Sequence, residues 1–113
     1  MTRRSGPANL PFDAEDALRE LGQNLRTARL RRNMTLEEVA SRIGVHRETV
    51  ASAEKGSPSV MMGTYVAALS IYGLLSDMAY LAYPNADREG LALESRNARE
   101  RAKPSSGGMS NDF

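Results

Sequence analysis

Few side chains in this sequence could carry out covalent or metal chemistry. The 113-residue chain contains no cysteine and a single histidine, His46. Without thiolates or a second imidazole, no familiar set of zinc ligands can be assembled. The adjacent carboxylates Glu37 and Glu38 would diverge on a helix, where only residues three or four apart face each other. We therefore expect that the protein is not an enzyme and that it binds no metal and no cofactor.

Charge offers a more informative pattern than catalytic residue types do. Residues 23–55 contain seven arginine or lysine side chains and four glutamates, whereas the whole chain has a formal net charge of only +1. Residues 95–103 contain four basic side chains and one acidic side chain. Clustered basic residues are typical of surfaces that bind nucleic-acid phosphates. The alternative is an ordinary solvated face, and charge alone leaves both interpretations open.

The spacing of apolar residues in 35–56 predicts how these charges are positioned. Apolar side chains recur at helical spacing over 36–43, and a second short amphipathic segment covers 47–55. Gly44 lies between them, where a helix end favours the positive φ that glycine adopts without strain. Two short helices joined by such a corner form a helix-turn-helix, whose second helix enters the DNA major groove.

Helical spacing continues on both sides of this segment, so the expected fold is all-α with five helices. The additional helices are predicted near residues 12–32, 62–72 and 75–82. Residues 87–101 fit either a marginal helix or a short strand at 91–93 that would pair with a partner.

The same pattern predicts four regions along the chain. Residues 1–11 should form a flexible arm and residues 12–83 the helix-turn-helix domain with its dimerisation helix. Residues 84–103 form a basic segment available to a partner, and residues 104–113 a disordered tail. No apolar run approaches the length of a membrane span, and the N-terminus lacks the apolar region of a signal peptide. We expect a cytoplasmic protein.

Residues 21–56 resemble the Cro/XRE class of helix-turn-helix DNA-binding domains. The matching positions are LGQNLR at 21–26, Arg29, MTLEEVA at 34–40, IGV at 43–45, Val50 and EKG at 54–56. This resemblance implies a five-helix, lambda-repressor-like domain. It also implies that double-stranded DNA, in the form of a palindromic operator, is the partner.

The resemblance assigns roles to individual residues. Base reading falls on the start of the third helix, at Arg47, Glu48 and Ser52. Contacts to phosphate or adjacent to it fall on Thr35, His46, Thr49 and Lys55. At Thr35, the free amides at the start of the second helix would hold a phosphate oxygen.

Two positions depart from the family pattern, and one pair agrees with it. Leu36 stands where the family often has a glutamine that bonds phosphate, and His46 where serine or threonine often caps the third helix. Arg29 and Glu54 match a pair that forms a structural ion pair in the family. We expect this pair to tie the first helix to the third.

Beyond residue 56 the sequence resembles HipB-like antitoxins. The similar segments are KGSP at 55–58, GTY at 63–65, YGLL at 72–75 and GLALE at 90–94. Such antitoxins are made with a HipA-type kinase toxin. The resemblance implies a protein that binds its own promoter as a dimer and restrains the kinase.

The sequence as a whole predicts a homodimeric, sequence-specific transcriptional repressor. The dimer contact is expected in the predicted fifth helix, at Leu74, Leu75, Met78 and Leu81. The alternative is a protein-interaction module that has a helix-turn-helix fold but does not read DNA specifically. Leu36 and the modest net charge leave this alternative open.

Overall fold

A computed structural model of the protein describes residue 7 and residues 9–103. These residues form five α-helices and no strand, which confirms the all-α fold. The α-helices are α1 (Phe12–Arg31), α2 (Leu36–Ile43), α3 (Arg47–Glu54), α4 (Met62–Ile71) and α5 (Arg88–Ala102). Two 3₁₀-helices, Leu75–Tyr80 and Pro84–Ala86, lie between α4 and α5 in the chain.

The first four helices begin and end within a residue of their predicted bounds, but the fifth does not. The segment predicted as an α-helix at 75–82 is instead the 3₁₀-helix Leu75–Tyr80. Gly73 before it has a φ of 71° and Ala82 after it a φ of 57°. Because neither angle is compatible with a right-handed helix, only a short stretch between them can be helical.

The segment at 87–101, whose sequence fits either a helix or a strand, forms an α-helix. Asp87 lies at its N-terminus, and its side chain accepts a hydrogen bond from the Gly90 N–H at 2.9 Å. Glutamate, arginine and alanine are good helix formers and dominate this segment. Its local sequence therefore favours a helix although it has few apolar residues.

The chain divides into two compact units at Ser76 and Asp77, inside the stretch 12–83 that was expected to be one domain. The expected tail at 104–113 and most of the expected arm at 1–11 lie outside the described residues.

The first unit contains a core formed by α1 to α4. Its buried apolar residues are Leu25, Ala28, Val39, Ala40, Val50, Ala53, Tyr65, Ala68 and Tyr72.

Candidate nucleic-acid interface

The corner between α2 and α3 is fixed by a left-handed glycine. Gly44 has φ 86° and ψ 37°, the conformation predicted for this position. Its N–H donates to the Ala40 carbonyl at 2.8 Å, and the Val45 N–H donates to the same oxygen at 3.0 Å. These bonds satisfy the Ala40 carbonyl near the end of α2, and the left-handed Gly44 turns the chain directly into α3.

Small side chains allow α2 and α3 to pack closely behind this corner. Val39 is fully buried, and Ala40 is 4% exposed. Val50 and Ala53 on α3 are buried in the same cluster. Because these residues define the inward side of α3, its other side is left at the surface.

The outward side of α3 carries the residues expected to read bases. Arg47 and Glu48 are exposed in its first turn, and Ser52 is half-buried one turn later. Neither Arg47 nor Glu48 forms a salt bridge within the described residues. The guanidinium and the carboxylate are therefore both accessible to an external ligand.

The other end of α3 is held by a buried ion pair between Arg29 and Glu54. Arg29 Nε donates to Glu54 Oε2 at 2.7 Å, and Arg29 Nη2 donates to Glu54 Oε1 at 3.0 Å. Arg29 Nη1 also donates to the Met34 carbonyl at 2.9 Å. The hydrogen-bonded Glu54 carboxylate raises the pKa of Arg29, so the guanidinium stays charged. One side chain thus joins α1, the connection before α2 and the end of α3.

A close backbone approach between α1 and the end of α3 lies two turns from this ion pair. A Cβ atom added at Gly22 would lie 2.6 Å from the Glu54 carbonyl oxygen and 2.7 Å from the Ala53 carbonyl oxygen. A Cβ atom at Gly56, whose φ is 75°, would lie 2.6 Å from the Arg19 backbone. Only glycine fits at either position. The sequence contained Gly22 in the family match but gave no sign of this contact.

Arg32 is a second bracing residue that the sequence did not reveal. Its Nη1 donates to the Ala28 carbonyl at 2.8 Å and its Nη2 to the Tyr72 carbonyl at 2.9 Å. The guanidinium carbon lies 5.6 Å from the centre of the Tyr72 ring. Arg32 therefore ties the end of α1 to the end of α4. The only signal in the sequence is its place directly after Arg29 and Arg31, at the basic end of the first helix.

The N-terminus of α2 is closed by a capping box. The Thr35 hydroxyl accepts from the Glu38 N–H at 3.0 Å, and the Thr35 N–H donates to Glu38 Oε1 at 2.8 Å. This N–H holds the pKa of the Glu38 carboxyl below its usual range. The Thr35 amide is therefore paired within the protein, with the Glu38 carboxylate. The Thr35 hydroxyl hydrogen and the amides of Leu36 and Glu37 remain available.

A surface groove of about 560 Å³ opens beside the exposed end of α3. Its lining residues are Arg29, Leu30, Met34, Thr35, Leu36, Glu37 and Arg47. Leu36 is half-buried and packs against the core cluster. The side chain that replaces the family's usual glutamine therefore contributes to packing rather than to polar contacts.

The three other residues expected to contact phosphate lie at or near the surface of the first unit. His46 precedes α3, is exposed, and makes no side-chain capping bond. Lys55 is exposed and Thr49 is half-buried.

The four residues expected at a dimer contact are accessible. Leu74, Leu75 and Leu81 are 45%, 38% and 64% exposed, and Met78 is half-buried. No group of three or more potential metal ligands occurs in the described part of the chain. In the same residues, none of the helices has the length and apolar character needed to cross a membrane.

The four-helix core, the glycine corner and the exposed face of α3 define the first unit as a helix-turn-helix protein. Residues 20–79 match the family described as helix-turn-helix domain, which is of the XRE/Cro type. The match covers more than half of the chain, and the chain belongs to this family. Comparisons with curated proteins and with solved structures gave no match. Family membership indicates a DNA-binding regulator.

Proposed function

We propose that the protein is a sequence-specific transcriptional repressor that inserts α3 into the major groove of double-stranded DNA. The observation that carries this proposal is the free, exposed first turn of α3 with Arg47 and Glu48 at its surface. The opposite end of the same helix is fixed by the Arg29–Glu54 ion pair. A reading helix needs both features, because exposed contacts discriminate between bases only when their position is fixed.

The chemistry of the exposed turn suits direct readout. Arg47 can donate two hydrogen bonds to O6 and N7 of guanine, and Glu48 can accept from N4 of cytosine. A good bidentate contact discriminates against a wrong base by roughly 1–3 kcal/mol. Ser52, one turn later, can donate to or accept from a neighbouring base edge.

Phosphate contacts would surround this reading surface. Lys55 follows α3, His46 precedes it, and Thr49 lies in its first turn. The start of α2 adds the amides of Leu36 and Glu37 and the Thr35 hydroxyl. These groups would set the register of α3 on the duplex without reading sequence.

We propose that two copies act together on a palindromic operator. One α3 of eight residues reads only a few base pairs. Two such helices one helical turn apart, roughly 34–36 Å, supply the rest of the specificity. The exposed residues Leu74, Leu75 and Leu81, with Met78, are proposed as an apolar contact between the copies.

A narrower proposal concerns the biological setting. The resemblance of residues 55–58, 63–65, 72–75 and 90–94 to HipB-like antitoxins supports a repressor that autoregulates its promoter and restrains a HipA-type kinase. Co-expression with the protein encoded by the adjacent gene would test this. A stable complex with a kinase-like protein is expected, and a neighbouring gene that encodes no kinase would contradict the pairing.

One observation favours a second candidate, a protein-interaction module. The start of α2 presents the carboxylates of Glu37 and Glu38, and the adjacent groove is lined partly by Leu30, Met34 and Leu36. Carboxylates repel phosphate, and the apolar part of the groove suits a protein segment. The two candidates differ in whether binding depends on DNA sequence.

The test is selection of bound fragments from random genomic DNA at two salt concentrations, followed by affinity measurements on the selected site. Arg47→Ala should weaken binding to that site by about 5- to 150-fold and relax preference at one base pair. Lys55→Ala should weaken binding to all sequences alike and reduce the salt dependence. Arg26→Ala is the matched control, since Arg26 is exposed on α1. Failure to select any site, or equal effects of the Arg47 and Arg26 substitutions, would refute direct readout by α3.

A further inference from the structure

The described part of the second unit, residues 77–103, contains no buried side chain. Tyr80, Leu81 and Leu91 in this region are 68%, 64% and 44% exposed. Its main element, α5, is a helix of 15 residues. A helix of that length is only marginally stable in water unless one face is packed. Within the second unit, no other element buries a face of α5, so a partner could cover one.

One face of α5 has the spacing of a helix–helix contact. Leu91, Ser95, Ala98 and Ala102 follow one another at intervals of four, three and four residues. This is the spacing of the a and d positions of a heptad. None of these four residues is charged, although Arg99 at the edge of the face donates to the Ser95 hydroxyl at 3.2 Å. The small side chains of Ser95, Ala98 and Ala102 allow another helix to approach closely.

The two halves of the α5 segment carry opposite net charge, so one half is complementary to the other. Residues 87–94 contain three acidic side chains and one basic, whereas residues 95–103 contain four basic side chains and one acidic. None of these charges forms a salt bridge within the described residues. In particular, Glu94 and Arg101 border the apolar face and have no oppositely charged residue three or four positions away on α5.

We infer that α5 pairs with the α5 of a second copy of this chain in antiparallel orientation. Antiparallel pairing places the acidic half of each helix against the basic half of the other. With Leu91 opposite Ala102 of the second copy, Glu94 lies beside Arg101 of the second copy, and the pair occurs twice by symmetry. Parallel pairing would instead bring the two basic halves together.

This pairing deepens the homodimer of the proposed function and rests on it, but not on the recognition of any DNA base. Two helices of this length form a contact smaller than the roughly 1,200–2,000 Å² of a stable protein interface. The association should therefore be weak in solution and should act mainly between copies on adjacent half-sites, where their effective concentration is high.

The test is sedimentation of the full-length chain without DNA, from micromolar to millimolar concentration. The chain should form dimers. Glu94→Arg and Arg101→Glu should each weaken dimerisation by about tenfold, because each places two like-charged pairs in the contact. An equal mixture of these two variants should dimerise as well as the unaltered chain, because both symmetric pairs are again opposite in charge. Arg96→Glu is the matched control, since Arg96 lies on another side of α5 and the substitution changes the charge equally.

The sedimentation results distinguish pairing through α5 from a dimer formed elsewhere and from a monomer. Weak dimers for each single variant, recovery in the mixture and normal dimers for Arg96→Glu would support it. A chain that dimerises regardless of residues 94 and 101 would overturn the α5 contact while leaving the dimer intact. A chain that stays monomeric would overturn both, although α3 could still read a half-site. Loss of DNA selection by Arg47→Ala is measured separately and reports only on readout.

Discussion

Replacement of Gly22 by alanine should destabilise the first unit, although Gly22 lies within a helix. The added Cβ would lie 2.6–2.7 Å from three backbone atoms at the end of α3 and just after it. Ordinary contact begins at 3.4 Å, so α1 and this backbone would have to separate locally by up to about 0.8 Å. No side-chain rotation can relieve a clash between a Cβ and the backbone. The same displacement would lengthen the Arg29–Glu54 hydrogen bonds, which lie two turns further along α1.

The magnitude follows from two opposing effects. Alanine is favoured over glycine in a helix by up to about 1 kcal/mol. Overpacking that forces a backbone shift typically costs about 1–3 kcal/mol. With the clash at the upper end of that range, we expect a net loss of about 2 kcal/mol in the free energy of unfolding, and a fall in Tm of roughly 8–16 °C for a domain of this size.

Gly63 provides the matched control for this prediction. It also lies within a helix, α4, but a Cβ added there would meet no atom within 4 Å. Gly63→Ala should therefore raise the free energy of unfolding by about 0.5–1 kcal/mol. Urea unfolding followed by circular dichroism measures both variants. If Gly22→Ala were as stable as the unaltered chain, the close approach of α1 and α3 would be refuted.

Three further predictions concern buried or capping polar groups. Tyr72 Oη is buried with no hydrogen-bond partner in the described structure, so Tyr72→Phe should leave the free energy of unfolding unchanged or raise it slightly. A loss of more than about 1 kcal/mol in urea unfolding would mean that this hydroxyl is hydrogen-bonded. Glu54→Gln should cost roughly 3–5 kcal/mol, because it leaves the Arg29 charge buried without a charged partner. Combining it with Arg29→Met should recover part of that loss in the same assay, and a double variant less stable than the single one would contradict this account. The Thr35 N–H lowers the pKa of the Glu38 carboxyl in the folded protein. The ionised carboxylate therefore stabilises the fold fully at a pH above the pKa that Glu38 has in the unfolded chain. This stabilisation is lost as the pH falls through the lower pKa of the folded protein. Glu38→Gln should remove this part of the acid dependence in thermal unfolding, whereas an unchanged acid limb would exclude the capping carboxylate as its source.

The features predicted best from the sequence are those determined by neighbouring residues. Gly44 at the corner depends on backbone angles and hydrogen bonds within a few positions. The pair Arg29 and Glu54 is separated by 25 positions, and only the resemblance to a known family indicated it. Residue spacing alone carries no information about such a contact.

The features that were missed depend on distances between helices. Arg32 reaches the Tyr72 carbonyl across 40 positions, and nothing in the local sequence marks that carbonyl as its acceptor. Gly22 meets the backbone at the end of α3, and nothing in its neighbouring residues signals that contact. The α-helix predicted at 75–82 was wrong for a different reason. Apolar spacing favoured an α-helix, but Ala82 adopts a positive φ, and no residue type in the segment signals that angle.

These missed contacts bear directly on the proposed readout. α3 has eight residues, and a helix of two turns does not hold its own conformation in water. Its direction is set instead by Gly44 at one end and by Gly22 and the Arg29–Glu54 pair at the other. Neither Gly22 nor Glu54 is exposed to a ligand, yet a small rotation of α3 about the Gly44 corner would move Arg47 relative to a base edge. Weakening either the Gly22 contact or the Arg29–Glu54 pair should therefore lower the preference for one DNA sequence more than the affinity for DNA in general. Base contacts require fixed geometry, whereas the attraction of basic side chains to phosphate does not.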